Sequence, residues 1–257
     1  YLLNRAELEN IPYSEDILSE DRREKTDKRK REESRQLSLC AELLLIYALK
    51  QQQACPELPL RIARDERDKL YLEDSPWYFN LSHSKDYAVC ALSDAPVGVD
   101  IESFKVREIL YPDKILHPDE ARLLAYISNT NEKKRYFCEC WVAKESYLKN
   151  LGIGLIVRPR DFMVHEDTLM IMDQDASQMK GHHSPAGKAV GEGGTLAENL
   201  SYLEPRYVHV LEPGEIRGTD WKFDAGYRVA VCSMQKDSDH IARLLHAEDL
   251  NAALAEA

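Results

Sequence analysis

The sequence predicts an α+β fold, and three observations carry that expectation. Two long stretches, about 19–50 and 132–150, repeat apolar residues at helical spacing. Between and after them lie short apolar segments of strand type, bounded by Pro, Gly, Asn and Asp. Two of those segments echo each other. Tyr87-Ala-Val-Cys-Ala-Leu-Ser93 resembles Tyr227-Arg-Val-Ala-Val-Cys-Ser233, as a duplicated architecture would require and as any two buried strands can do by chance.

Residues 19–50 read as helix broken once. Charged helix formers fill the first half; Leu37, Cys40, Ala41, Leu44, Leu45 and Ala48 then mark one apolar face. Tyr71–Leu81 reads as a looser segment carrying Pro76. Tyr87–Leu92 and Val97–Ile101 read as strands, with a turn at Asp94-Ala95-Pro96. A short helix should start at Pro118, whose fixed φ suits a first helical position and whose successors Asp119 and Glu120 favour a helix N-terminus. The helix over 132–150 should stop at Gly152. Strands follow near Phe162–His165, Thr168–Met172, Tyr207–Leu211 and Tyr227–Cys232. Residues 174–200, rich in Gly, Ser, Ala and His, read as a flexible insertion.

Composition narrows the function. The chain has 257 residues, 44% hydrophobic and 31% charged, as in an ordinary globular protein. A net charge of −11 argues against a general nucleic-acid binder, which needs a broad basic surface. One local basic stretch exists: Asp21–Arg35 holds eight Lys or Arg against five Asp or Glu. No run approaches the roughly 20 apolar residues of a membrane helix, and no basic leader followed by an apolar segment opens the chain. Six scattered cysteines without metal spacing read as reduced thiols, which points to the cytoplasm.

Three constellations carry chemistry. In Gly98-Val99-Asp100-Ile101-Glu102 strand alternation puts both carboxylates on one face, about 7 Å apart along the backbone. That suits a hard cation wanting oxygen ligands; a solvated strand face is the bland alternative. In Trp141-Val-Ala-Lys144-Glu145-Ser146-Tyr147-Leu148-Lys149, helical spacing puts Trp141, Glu145 and Lys149 on one stripe. Glu145 and Lys149 are there either a surface pair worth about 0.3–0.5 kcal/mol or a metal ligand and a phosphate contact. In Phe79-Asn80-Leu81-Ser82-His83-Ser84 no nucleophile elbow accompanies the Ser-His pair, which leaves a hydrogen-bonded turn or a phosphate contact.

In this order and spacing, with Gly152-Ile-Gly154-Leu155 following, the three segments resemble the Sfp-type 4'-phosphopantetheinyl transferases. That family shows an (F/L)N(I/L)SHS-like segment, then G(I/V)D(I/V)E, then W-x-x-KE-(S/A)-x-x-K. The resemblance implies a pseudo-twofold fold of two similar α/β halves, divided here at about 1–104 and 105–257. It implies transfer of the phosphopantetheine arm of coenzyme A to a serine of an apo acyl or peptidyl carrier protein, releasing adenosine 3',5'-bisphosphate. It also implies Mg²⁺, with Mn²⁺ as a substitute, held by Asp100, Glu102 and Glu145. Lys149 is then at the phosphates, Ser82 and His83 hold coenzyme A, and Glu120 stands where the family often places a further acid. Lys69 matches a family lysine that usually sits in Gly-Lys-Pro but stands here in Asp68-Lys69-Leu70; Arg22 and Lys25 match basic positions near the family's N-terminal helix. Glu145 or a metal-bound water would take the serine proton. A monomer is expected, without membrane or nucleic-acid partners. A Mg²⁺-dependent phosphodiesterase and an inactive carrier-binding module are the other classes compatible with these motifs.

Overall fold

A computed structural model describes residues 1–255 except 30, 106–108, 110, 154–156, 166–167, 171–205, 219–222 and 235–241. The segment read as an insertion and Gly154-Leu155 lie outside the described residues.

Two helix-on-sheet units form the molecule. The first sheet runs β10 (Ile216–Arg217), β12 (Ala242–Leu245), β1 (Leu2–Asn4), β5 (Tyr87–Ser93), β4 (Tyr78–Ser84). The second runs β6 (Gly98–Ser103), β11 (Tyr227–Ser233), β9 (Tyr207–Leu211). Helix α2 (Glu32–Gln51) packs on β5 and helix α5 (Thr130–Leu151) packs on β6 and β11.

Strand alternation explains the layering. Ala88 and Cys90 join the α2 core, whereas Tyr87 and Val89 face the other way. Likewise Ala230 and Cys232 meet α5, while Tyr227 and Val229 turn inward. The inward faces share one core with Leu2, Val99 and Ile101, so the order is helix, sheet, sheet, helix. The echoing strands β5 and β11 hold the equivalent place in each unit, and the Tyr87 and Tyr227 rings meet edge-on at 5.0 Å across the middle.

Most sequence expectations for elements hold. The first helix breaks into α1 (Glu20–Lys28) and α2 around 29–31; Pro118 opens α4 (Pro118–Tyr126). Gly152 ends α5 at φ +66°, a left-handed conformation that a side chain would strain. Two expectations are corrected. Phe79–Ser84 is not a turn but most of strand β4, fully laddered to β5. Asp94–Pro96 does not close a hairpin: it carries the chain from one sheet to the other, since β5 pairs with β4 and β1 while β6 pairs with β11. Strand β6 belongs to the second sheet, and β12 with helix α6 (Ala247–Leu254) returns to β1 and α2. Each exchange covers a sheet edge that would otherwise be unpaired and adds Leu244 or Val99 to the shared core.

Candidate active site

The two sheets meet at their edges, where β4 and β6 run side by side without a backbone ladder. Side chains of β4 bridge the gap instead. Asn80 Oδ1 accepts from the Val99 amide (2.9 Å), Ser82 Oγ donates to Asp100 Oδ1 (2.7 Å) and Ser84 Oγ donates to a Glu102 carboxylate oxygen (2.8 Å). The seam is therefore polar in a molecule whose layers are apolar.

Helix α5 closes the seam from outside. It comes this close because residue 98 is glycine: a Cβ there would lie 2.0 Å from the Ser146 carbonyl oxygen and 2.5 Å from the Asn150 amide. Asn150 fixes the approach, its side-chain amide donating to the carbonyls of Pro96 (2.8 Å) and Cys232 (3.0 Å). With the helix held there, Lys149 Nζ donates to Asp100 Oδ1 (2.6 Å) and Ser82 Oγ (2.9 Å). The solvated strand face and the surface Glu–Lys pair are both excluded: Asp100 is 5% exposed, and Lys149 reaches across to a different strand.

Glu145 sits one turn before Lys149. Burial, then the negative charge of Asp100, push its carboxyl above the usual range, and Lys149 only partly offsets them. The charge of Asp100 thus opposes ionisation of Glu145 at the seam, an all-oxygen setting that fits a hard divalent cation. The expected three-carboxylate cage is not assembled, however. Among the described residues no three His, Cys, Asp or Glu side chains are gathered to hold a metal, and a Glu102 oxygen accepts from Ser84.

Beyond Lys149 a cavity of about 280 Å³ opens toward a hairpin formed by β2 (Ile62–Arg64) and β3 (Leu70–Leu72). Lys25, Arg64, Arg67, Lys69 and Lys149 line it, with Asp68. Lys69 Nζ donates to the Asn150 carbonyl (2.7 Å), and burial holds its ammonium below the usual lysine range. Lys25 pairs with Asp21 at 3.0 Å. His83 lies on the opposite face of β4 from Ser82 and is exposed. The protein packed around it and the cations Arg29, Lys149 and Arg22 hold its imidazole below the usual range. Arg64 and Arg67 escaped the sequence reading, hidden in a stretch where charged residues alternate in sign.

Two expected site residues are engaged elsewhere. Arg22 turns inward, donating from Nε to buried Glu42 (2.9 Å) and from a terminal nitrogen to Ser38 Oγ (2.6 Å). Glu120 is buried on the flank of α5 toward α4, where its carboxylate accepts from the His117 amide (2.8 Å) and pairs with fully buried Lys144 at 2.5 Å. Lys144 also donates to the carbonyls of Ile115, Pro159 and Phe162. Consecutive helix residues point about 100° apart, so Lys144 serves this corner while Glu145 serves the seam. Glu120 is a helix-capping and ion-pairing residue in this arrangement.

Comparisons with known proteins agree with the motifs. The family model of the 4'-phosphopantetheinyl transferase superfamily matches residues 96–180. The chain is 32% identical over 130 residues to 4'-phosphopantetheinyl transferase gsp of Aneurinibacillus migulanus, covering 51% of this chain and 54% of that protein. It is 25% identical over 238 residues to Sfp of Bacillus subtilis (strain 168), covering 91% and 90%, and 28% identical over 225 residues to ffp of Bacillus subtilis, covering 86% and 84%. The chain thus spans about half the length of gsp in the first match and most of the other two relatives. In motif order and over these matched stretches the chain is similar to the Sfp-type 4'-phosphopantetheinyl transferases.

Proposed function

We propose that the protein transfers 4'-phosphopantetheine from coenzyme A to a serine of an apo acyl or peptidyl carrier protein. One observation carries this reading: Lys149 stands between the Asp100 and Glu145 carboxylates on one side and a cation-lined cavity on the other. A pyrophosphate laid across Lys149 would have its reacting phosphorus at the carboxylate seam and its leaving half in the basic cavity. Phosphoryl transfer depends on positioning and charge neutralisation more than on covalent help from the protein.

Asp100 and Glu145, with Glu102 beside them, would hold Mg²⁺, which when bound neutralises pyrophosphate charge and polarises the phosphorus. Lys149 Nζ stabilises the departing phosphate. Glu145, whose raised affinity for protons brings it nearer working pH, accepts the proton of the attacking serine at its carboxylate. Ser82 keeps Lys149 and Asp100 in register; Lys25, Lys69 and the exposed His83 meet the anionic end of coenzyme A. The same reading makes the protein a monomer, since two units are already joined in one chain. It also makes it cytoplasmic, in keeping with six free thiols. No helix among the described residues is long and apolar enough to cross a membrane.

The test is mass spectrometry of several apo carrier proteins incubated with the enzyme, coenzyme A and Mg²⁺. A gain of one phosphopantetheine per carrier is expected with wild type and not with Asp100→Ala. Unmodified carriers throughout would overturn the reading.

A further inference from the structure

A second cavity lies on the other flank of α5, between that helix, α4 and strand β9. At about 100° per residue, Ala143 stands about 200° around the helix from Glu145, so this cavity does not share the seam. Its volume, about 870 Å³, falls within the roughly 300–1,000 Å³ typical of whole small-ligand sites.

Its charge is opposite to that of the cavity beside Lys149. Asp119, Glu120, Glu139, Glu212 and Glu215 line it, against Arg122 and His209. Three of these carboxylates are matched: Asp119 pairs with Arg122, Glu139 accepts from Arg228 Nε (2.8 Å), and Glu215 meets His209 at 2.9 Å. The other two keep unmet capacity. Glu212 caps the short turn Pro213–Glu215, and no cation pairs with it among the described residues. Glu120 is 3% exposed, and its two oxygens differ. Oε2 takes the His117 amide and Lys144 Nζ, whereas Oε1 has no hydrogen-bonding partner among the described residues. A buried carboxylate oxygen without a donor is costly, and a donor carried by a ligand removes that cost.

The walls between these charges are apolar and aromatic. Leu123 and Tyr126 of α4 are 56% and 86% exposed, and Met163, Val208 and Val210 add to the lining. Exposed apolar surface beside a cavity marks a contact site, and the face of a tyrosine ring attracts a cation. We infer that this cavity binds a small organic cation, an amine or guanidine on an apolar or aromatic body. The charged end donates to Glu120 Oε1 within the field of Glu212, and the body lies against Leu123, Tyr126 and Val210. The same carboxylates repel an anion such as coenzyme A. The site is therefore separate from the proposed transfer reaction and does not rest on it.

Calorimetry and thermal melting of the whole chain, without carrier or turnover, test this. The probes are tyramine and agmatine as cations and 4-ethylphenol as the uncharged match of tyramine. At millimolar concentration tyramine should bind wild type and raise Tm, as a ligand of the folded state must, with 4-ethylphenol about tenfold weaker or worse. Tyr126→Ala and Glu212→Gln, both at exposed positions, should each weaken tyramine about three- to tenfold. Glu120→Gln should weaken it at least as much; should that variant fail to fold, the two exposed positions still decide. Glu24→Gln, an exposed acid of α1 outside the cavity, should bind as wild type does. If neither tyramine nor agmatine binds wild type, or 4-ethylphenol binds as well as tyramine, the assignment is overturned. Undiminished binding in Tyr126→Ala or Glu212→Gln overturns it too, as does competition between tyramine and coenzyme A, which would put the amine at the seam. Unmodified carriers would defeat the proposed function and leave this site standing, since its readout is binding alone.

Discussion

Helices α2 and α5 occupy equivalent places, each covering the outer face of a sheet, yet they are written in different chemistry. From Leu37 to Leu49 every residue of α2 is buried, and apart from Ser38 and Glu42 the stretch is apolar or aromatic. Arg22 donates to both exceptions, and Ser19 donates to Glu42 as well. In α5 the corresponding turns contain buried Lys144, Ser146 and Asn150, with Glu145 and Lys149 half-buried at the seam. One helix is a core element with a single internal ion pair. The other carries polar groups in the matching turns. Two copies of one plan allow one unit to hold the structure while the other is kept polar for a site.

Substitutions can break that contrast, beginning with α2. Glu42→Ala strands the Arg22 guanidinium in the core without a counter-charge, and loss of one member of a buried pair costs about 3–5 kcal/mol. A large fall in Tm is expected, with near-normal transfer below it. Full stability in Glu42→Ala would mean that α2 is not the structural member of the pair.

Lys149→Ala reverses the pattern. Removing an ammonium that faces the departing phosphate in a partly dehydrated site should lower kcat by about a hundredfold or more, roughly 2.7 kcal/mol of barrier, with little change in Tm. Lys149→Arg should rescue it partially at best, because a planar fork cannot replace a compact ammonium between Asp100 and Ser82. Wild-type turnover in Lys149→Ala would reduce α5 to a scaffold like α2.

Gly98→Ala probes the joint between units. The added methyl meets backbone at the Ser146 carbonyl, so α5 must move. Overpacking of this kind costs about 1–3 kcal/mol, and the 2.6 Å contact of Lys149 with Asp100 depends on the same approach. Melting and turnover should fall together; normal turnover at reduced Tm would uncouple the site from this approach.

The smallest effect concerns Glu145. Its folded-state pKa is raised by burial and by Asp100, so its contribution to stability is complete below the ordinary glutamate value. That contribution is lost as pH rises through the raised value. Without divalent cations, Glu145→Gln should gain in Tm relative to wild type as pH climbs from about 4 to 7. Mg²⁺ should then return stability to wild type and not to the variant. Parallel melting curves at every pH would remove Glu145 from the charge conflict.

What was legible in the sequence follows from locality. Helices α2, α4 and α5 are declared by 3.6-residue periodicity and by Pro118 and Gly152 at their ends. Asp100 and Glu102, or Glu145 and Lys149, could be grouped because the geometry of one strand or one helix fixes which neighbours share a face. Strands as short as β1, β2, β3 and β12 were not legible, because three or four residues carry too little pattern.

The sequence by itself determined the order of the motifs, the likeness of strands Tyr87–Ser93 and Tyr227–Ser233, and the carboxylates and lysine that one strand and one helix bring to the seam. Only the tertiary structure decided the assignments made across space. It took Arg22 and Glu120 out of the cavity and seam and gave them to Glu42 and Lys144. It brought Arg64 and Arg67 in, on a hairpin whose position depends on Asp21 and on the Asn150 carbonyl. The physical reason is that a charge has no preferred partner along the chain. Burial sets the cost of leaving it unpaired, and the fold alone determines what lies within reach.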